Sequence, residues 1–341
     1  MQADSPAQSI ASSPAWLPHR YDPGHDAVHF VRAEREVRAS APFLTDENLP
    51  DAGNPVVLAR EDSLRLAGGR APIHFILHSA YCCSTLLANA FDRPGRSTSF
   101  KEPVILNDLI GWGHRGGTAA QIRPVLDSSL TLLSRPFAPG EAAIVKPSNL
   151  VNALAPIMLA LRPEAGCLLL HAPLKIYLGS IASKGLWGRL WVRDLMSKQL
   201  KHGLIDLGLD PGQHFMLTDL QVAAVGWLAQ QQLFAALAAK WPERIRLIDS
   251  ETLLARPEEA LGALGRLYKL APDPGGDAAS VATLFQRHAK VGGTFSRSER
   301  SESQASAALA HADEIDKVTA WAEAVAANAD VTVAPGQTLL P

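Results

Sequence analysis

The chain has 341 residues, of which 47% are hydrophobic and 19% charged, enough to bury a sizeable core as one large domain with terminal extensions. Thirty-two lysines and arginines against 34 aspartates and glutamates give a formal net charge of -2, which excludes a global basic field for nucleic acid but not a local basic pocket. Cys82 and Cys83 are adjacent and Cys167 is distant, so the cysteines form neither a disulfide framework nor a metal-ligand spacing. No signal-peptide pattern opens the chain, and the longest mostly apolar stretch noted, Leu150–Leu161, is too short to span a bilayer. The expectation is a reduced, cytoplasmic protein with no membrane span and no metal.

In chain order, the first ~20 residues are rich in Ser, Ala and Pro and read as a loose lead-in. Residues 27–70 read as loops and a short helix packed on the main domain. Ile73–His78 is an apolar run of strand length, followed from Ser84 by a helical pattern that Pro94-Gly95 stops. Further strands are expected at Ser97–Phe100, Ala142–Val145, Cys167–His171 and Arg244–Ile248. Helices are expected after Asn149, at Leu174–Lys184, Asp219–Lys240, Ser250–Leu254 and Pro257–Tyr268, with a terminal helix over Ala305–Ala329. Strands alternating with helices at this spacing predict a three-layer α/β/α architecture with a mainly parallel central sheet. The implied division is 1–70 as an extension packed on the main domain, 71–300 as the main α/β domain and 301–341 as C-terminal helix and tail.

Ligands of such sheets collect at the carboxyl ends of the strands. Those ends carry His78, Lys101-Glu102, Lys146 and His171, with Lys175 shortly after. The turn after the first of these strands, Ser79-Ala80-Tyr81-Cys82-Cys83-Ser84-Thr85-Leu86-Leu87, opens a helix whose unpaired amides and positive dipole end suit a phosphate. The Gly-x4-Gly-Lys-[Ser/Thr] pattern of ordinary ATPases and GTPases is absent. A bare helix cap at Ser84, with no ligand, is the plain alternative.

The stretch resembles the 5′-phosphosulfate loop of the P-loop sulfotransferase superfamily, aligned on Ser84-Thr85-Leu86-Leu87. Two positions depart from the family pattern: Tyr81 stands where it has Lys or Arg, and Cys83 where it has Gly. Glu102 lies at the spacing of the base in the tyrosyl-protein branch. Trp227 in a long helix, then Asp249-Ser250-Glu251 and Pro257, are similar to the family's C-terminal half. The resemblance implies a P-loop NTPase-like fold and 3′-phosphoadenylyl sulfate (PAPS) as donor, leaving 3′-phosphoadenosine 5′-phosphate (PAP). It also implies a 5′-end site over Tyr81, Cys82, Cys83, Ser84, Thr85 and Leu86. Its 3′-phosphate site falls near Lys175, Ser180 and Ser183, and its basic, glycine-containing closing loop near Lys290 and Gly292.

Sulfuryl transfer needs stabilised charge on the moving group, a neutralised leaving phosphate and a base for the acceptor. Lys101 or Lys146 is expected to replace the charge missing at Tyr81, with Glu102 as base and His78 as second choice. The acceptor, a small molecule, peptide or glycan, is not legible, and Trp112, Trp187 and Trp191 read as core or subunit contacts that leave a homodimer open. Two other readings remain: a catalytically silent nucleotide-binding or interaction protein, and a small-molecule kinase-like phosphotransferase.

Overall fold

The computed structural model describes residues 6–272, 285, 310–334 and 336–341. Lys290 and Gly292 lie outside these residues.

After a first helix α1 (Pro6–Ser12), the chain enters strands β1 (Trp16–Asp22) and β2 (Ala27–Arg32), helix α2 (Arg35–Ser40), β3 (Val56–Ala59) and α3 (Arg60–Leu66). The three strands form an antiparallel sheet in the order β1-β2-β3. This corrects the expectation of a loose lead-in followed by loops. Leu17, Tyr21, Val28, Phe30 and Val31 are buried in one core with Phe75, Leu77 and side chains of the helices that follow, so the segment packs as an integral part of the fold. Arg135 pins it to the rest by donating to the carbonyls of Ala11 at 2.7 Å and Ser13 at 2.9 Å.

The second sheet contains β4 (Ile73–His78), β5 (Ser97–Lys101), β6 (Ala142–Lys146), β7 (Cys167–His171) and β8 (Ile245–Asp249). Its order is β5-β6-β4-β7-β8, with every pair parallel. The helices after β4 are α4 (Ser84–Ala90), α5 (Val104–His114), α6 (Ala119–Leu133), α7 (Ala155–Leu161), α8 (Leu174–Ser183), α9 (Gly185–Lys201), α10 (Pro211–Met216) and α11 (Asp219–Lys240). Then come α12 (Ser250–Ala255), α13 (Pro257–Leu267) and α14 (Ala312–Asn328). The fold is α/β, a five-stranded parallel sheet flanked by helices.

Alternation along the strands explains the layers, because successive side chains point to opposite faces. Ile76, Leu168 and Leu170 enter one core with side chains of α4, α8, α13 and α14. Phe75, Leu77, Cys167 and Leu169 enter the other with α5, α6, α7 and the first sheet. Helix α11 serves both, through Trp227 in the first and Phe234 in the second. That double burial is why it is apolar all round. At 22 residues it is long and apolar enough to cross a membrane, and among the described residues it is a longer apolar helix than Leu150–Leu161; 72% of its most apolar window is buried in the fold.

The chain leaves β4 toward β5 and leaves β7 toward β8, in opposite directions across the sheet. A crevice therefore opens at the carboxyl ends of β4 and β7. Register aligns His78 with Leu170, Lys101 with Lys146 and His171 with Asp249, so the polar strand ends form one edge.

Candidate functional site

The turn between β4 and α4 takes a backbone that side chains disfavour. Ala80, Tyr81 and Cys83 have φ of 72°, 52° and 64°, in the left-handed region. Strain of this kind concentrates at functional sites. Ser79 ties the turn to β7: its amide donates to the Leu170 carbonyl at 3.1 Å, and its hydroxyl accepts from the Ala172 amide at 3.3 Å. Helix α4 starts after Cys83 with no side-chain cap hydrogen bond. Ser84 and Thr85 are both buried at that start.

Beside the turn lies a charged pair. Lys146, at the end of β6, is 1% exposed and donates to Oε1 of Glu102, the residue after β5. Glu102 also has positive φ, 51°, and its amide donates to the Lys146 carbonyl at 2.7 Å. Phe43 lies under the ammonium, with Nζ 5.1 Å from the ring centroid. Lys146 also reaches the turn electrostatically. Burial pushes the Cys82 thiol pKa up, while Lys146 and hydrogen bonds from Ser84 pull it back.

The two candidate lysines are thus separated by their partners. Lys101 donates to the Ala39 carbonyl at 2.8 Å, and burial lowers its pKa to about 8, against the attraction of Asp92. Lys146 faces Glu102 and Cys82. His78 stands 3.9 Å from Glu102 Oε1. Its Nε2 donates to the Pro147 carbonyl at 3.0 Å, and its Nδ1 accepts from the Ala80 amide at 3.1 Å. Two backbone partners fix the neutral tautomer and occupy both nitrogens.

Tyr81 turns into an aromatic cluster, edge-on to Trp191 at 5.5 Å and to Tyr177 at 6.1 Å, and burial raises its pKa to about 12. Each of the three residues expected round a 3′-phosphate has another partner. Lys175 is ion-paired with Asp316 of α14 at 2.7 Å. Ser180 donates to the Ile176 carbonyl and Ser183 to the Ser180 carbonyl, each within α8.

Sequence reasoning missed Phe43, Ala39 and Asn152, whose Nδ2 donates to the His78 carbonyl at 2.9 Å and to Gln230 at 2.6 Å. Only Asn149-Leu150 and the polar strand ends hinted at this neighbourhood. Among the described residues, no group of three or more His, Cys, Asp or Glu side chains is arranged to hold a metal ion.

No protein-family model and no curated protein matches the sequence. Among solved structures, a sulfotransferase domain from the curacin biosynthetic pathway aligns over 67% of this chain and 82% of its own. Its TM-score is 0.42 and the identity 18%.

Proposed function

We propose that this chain is a sulfotransferase-type enzyme that moves a sulfuryl group from PAPS to a hydroxyl or amine. The observation that carries the reading is the Lys146–Glu102 pair set beside the left-handed turn Ala80–Cys83. A buried cation, a helix start suited to phosphate and a carboxylate are the three groups the reaction needs.

The residues at the turn fit the 5′ end of such a donor. The amides of Cys82–Leu86 and the hydroxyls of Ser84 and Thr85 would hold it, and Lys146 supplies the positive charge that Tyr81 does not. The donor brings a sulfuryl group already activated as a mixed anhydride. Glu102 takes the proton of the acceptor. An anion on the turn competes for Lys146 and leaves Glu102 to the acceptor. Three free cysteines suit a reducing, cytoplasmic setting.

One observation favours a second reading, a silent nucleotide binder: the position expected to be basic is a tyrosine committed to packing. Binding and turnover separate the readings. PAP is expected to bind more tightly than 5′-AMP and than ATP with Mg²⁺, and radiolabelled sulfate is expected to move from PAPS to a screened acceptor panel. Glu102→Gln is expected to lower kcat by about 10²–10⁴-fold with PAP affinity unchanged. Full turnover in Glu102→Gln removes the base assignment. PAP binding with no turnover on any acceptor leaves the silent binder, and preference for ATP with Mg²⁺ leaves the kinase-like reading.

A further inference from the structure

A second concave site lies on the same sheet edge, away from the turn. It is a cleft of about 630 Å³ between the ends of β7 and β8 and helix α14, within the usual 300–1,000 Å³ range of small-molecule sites. Leu174, Trp227 and Leu228 form one side and Ala322, Ala326 and Val331 the other. Such walls favour an apolar body.

Two polar features narrow the ligand. The first is His171, which lines the cleft, is 5% exposed, and has an Nδ1 with no hydrogen-bond partner among the described residues. Burial lowers its pKa, outweighing the Asp249 carboxylate and the Ile248 carbonyl. The ring is therefore neutral near pH 7. The neutral ring keeps one nitrogen lone pair, which asks for a donor. An unmatched buried imidazole is costly, so a ligand donor that reaches the ring gains a hydrogen bond at low desolvation loss.

The second is charge. Among the described residues, both ionised side chains lining the cleft are carboxylates, Asp249 and Glu323. Asp249 already accepts from the amides of Glu251 and Thr252, and Glu323 is exposed at the rim. Lys175, the cation of the neighbouring helix, is held by Asp316. The local field repels anions and attracts cations. A phosphate or carboxylate ligand is disfavoured here.

We propose that this cleft binds a compact apolar amine, with its hydrocarbon body between Trp227 and α14. The ammonium faces the carboxylate rim, beside the His171 ring. The site goes beyond the transfer reaction and does not need it, since it uses neither the turn nor Lys146 nor Glu102.

The test is calorimetric titration of the full chain with cyclohexylamine, phenethylamine and tryptamine, each against its matched carboxylate. At least one amine is expected to bind saturably at millimolar concentration or better, with its carboxylate at least about tenfold weaker. Ala327→Trp, which blocks the mouth from an exposed position, is expected to abolish binding without changing the melting temperature. Glu323→Gln is expected to weaken it roughly twofold to fivefold, as fits an exposed charge, and His171→Phe about tenfold. Glu102→Gln is expected to leave it unchanged, so failure of the transfer reading does not touch this result. Equal or tighter binding of the carboxylates overturns the proposal. So does amine binding that survives Ala327→Trp, or no binding by any of the three amines.

Discussion

At the ends of β4, β5 and β6 the chain buries a cation, pairs it with a carboxylate and twists four non-glycine residues into left-handed backbone. At the ends of β7 and β8, on the same sheet, it leaves an apolar cleft with an imidazole whose Nδ1 has no partner among the described residues and with carboxylates at the rim. What covers each end makes the difference. The segment Ala39–Leu44 closes over the first, where Leu44 donates to the Lys101 carbonyl at 2.7 Å and Phe43 lies under Lys146. Helix α14 stands over the second and meets it with alanines. Small side chains leave volume, whereas a ring and a hydrogen-bonded strand end leave little.

The comparison breaks first at Lys146. Lys146→Met is expected to destabilise the fold by about 3 kcal/mol in urea unfolding, because it strands a carboxylate that is 21% exposed. Pairing it with Glu102→Gln should return most of that loss. A cost no larger than that of a surface pair would mean that the first region is as open as the second.

Acid tests the imidazoles. Burial lowers the pKa of His74 on β4 to about 4 and lowers that of His171. Both rings are neutral in the fold and in the unfolded chain above the ordinary value of 6.5. Below it the unfolded chain takes up protons first, so stability falls as pH drops from about 6.5 to about 4. For His74 the loss reaches about 3 kcal/mol, from a shift of roughly 2.5 units. His74→Phe should flatten that part of the pH profile, and an unchanged profile would refute the buried neutral ring.

Smaller effects follow from the turn. Cys83→Gly removes a side chain from a residue with φ of 64° and is expected to stabilise the fold by about 1 kcal/mol, read as a raised melting temperature. A fall would mean that the Cys83 side chain contributes more through packing than its backbone costs. Smallest is Lys175→Ala, which removes an exposed ion pair and is expected to leave both melting temperature and PAP affinity unchanged. A tenfold loss of PAP affinity would return Lys175 to the donor site.

The parallel sheet was legible because its strands are short apolar runs buried on both faces, and such runs stand out locally. The polar strand ends were legible for the same reason. The first sheet was not, because β1 reads Trp-Leu-Pro-His-Arg-Tyr-Asp, with a register shift after Pro18, and β3 is half-exposed. Helix α6 carries Pro124 inside it and α5 carries Gly111 and Gly113, which hid two helical patterns. The same weakness hid α9 and α10 in a segment that had no readable pattern.

The sequence by itself determined the alternation of strands and helices, the polar edge formed by the strand ends and the identity of Glu102, Lys146 and His171 at that edge. Periodicity and chain order suffice for that, because burial of an apolar strand is a local property. Tertiary structure decided which lysine meets the carboxylate, that Lys175 belongs to Asp316, that Tyr81 packs on Trp191, and that α14 leaves a cleft over His171. Each of these depends on partners 44 or more residues apart in the chain. Side-chain direction at a strand end is set by whatever packs over it, and no local pattern encodes that.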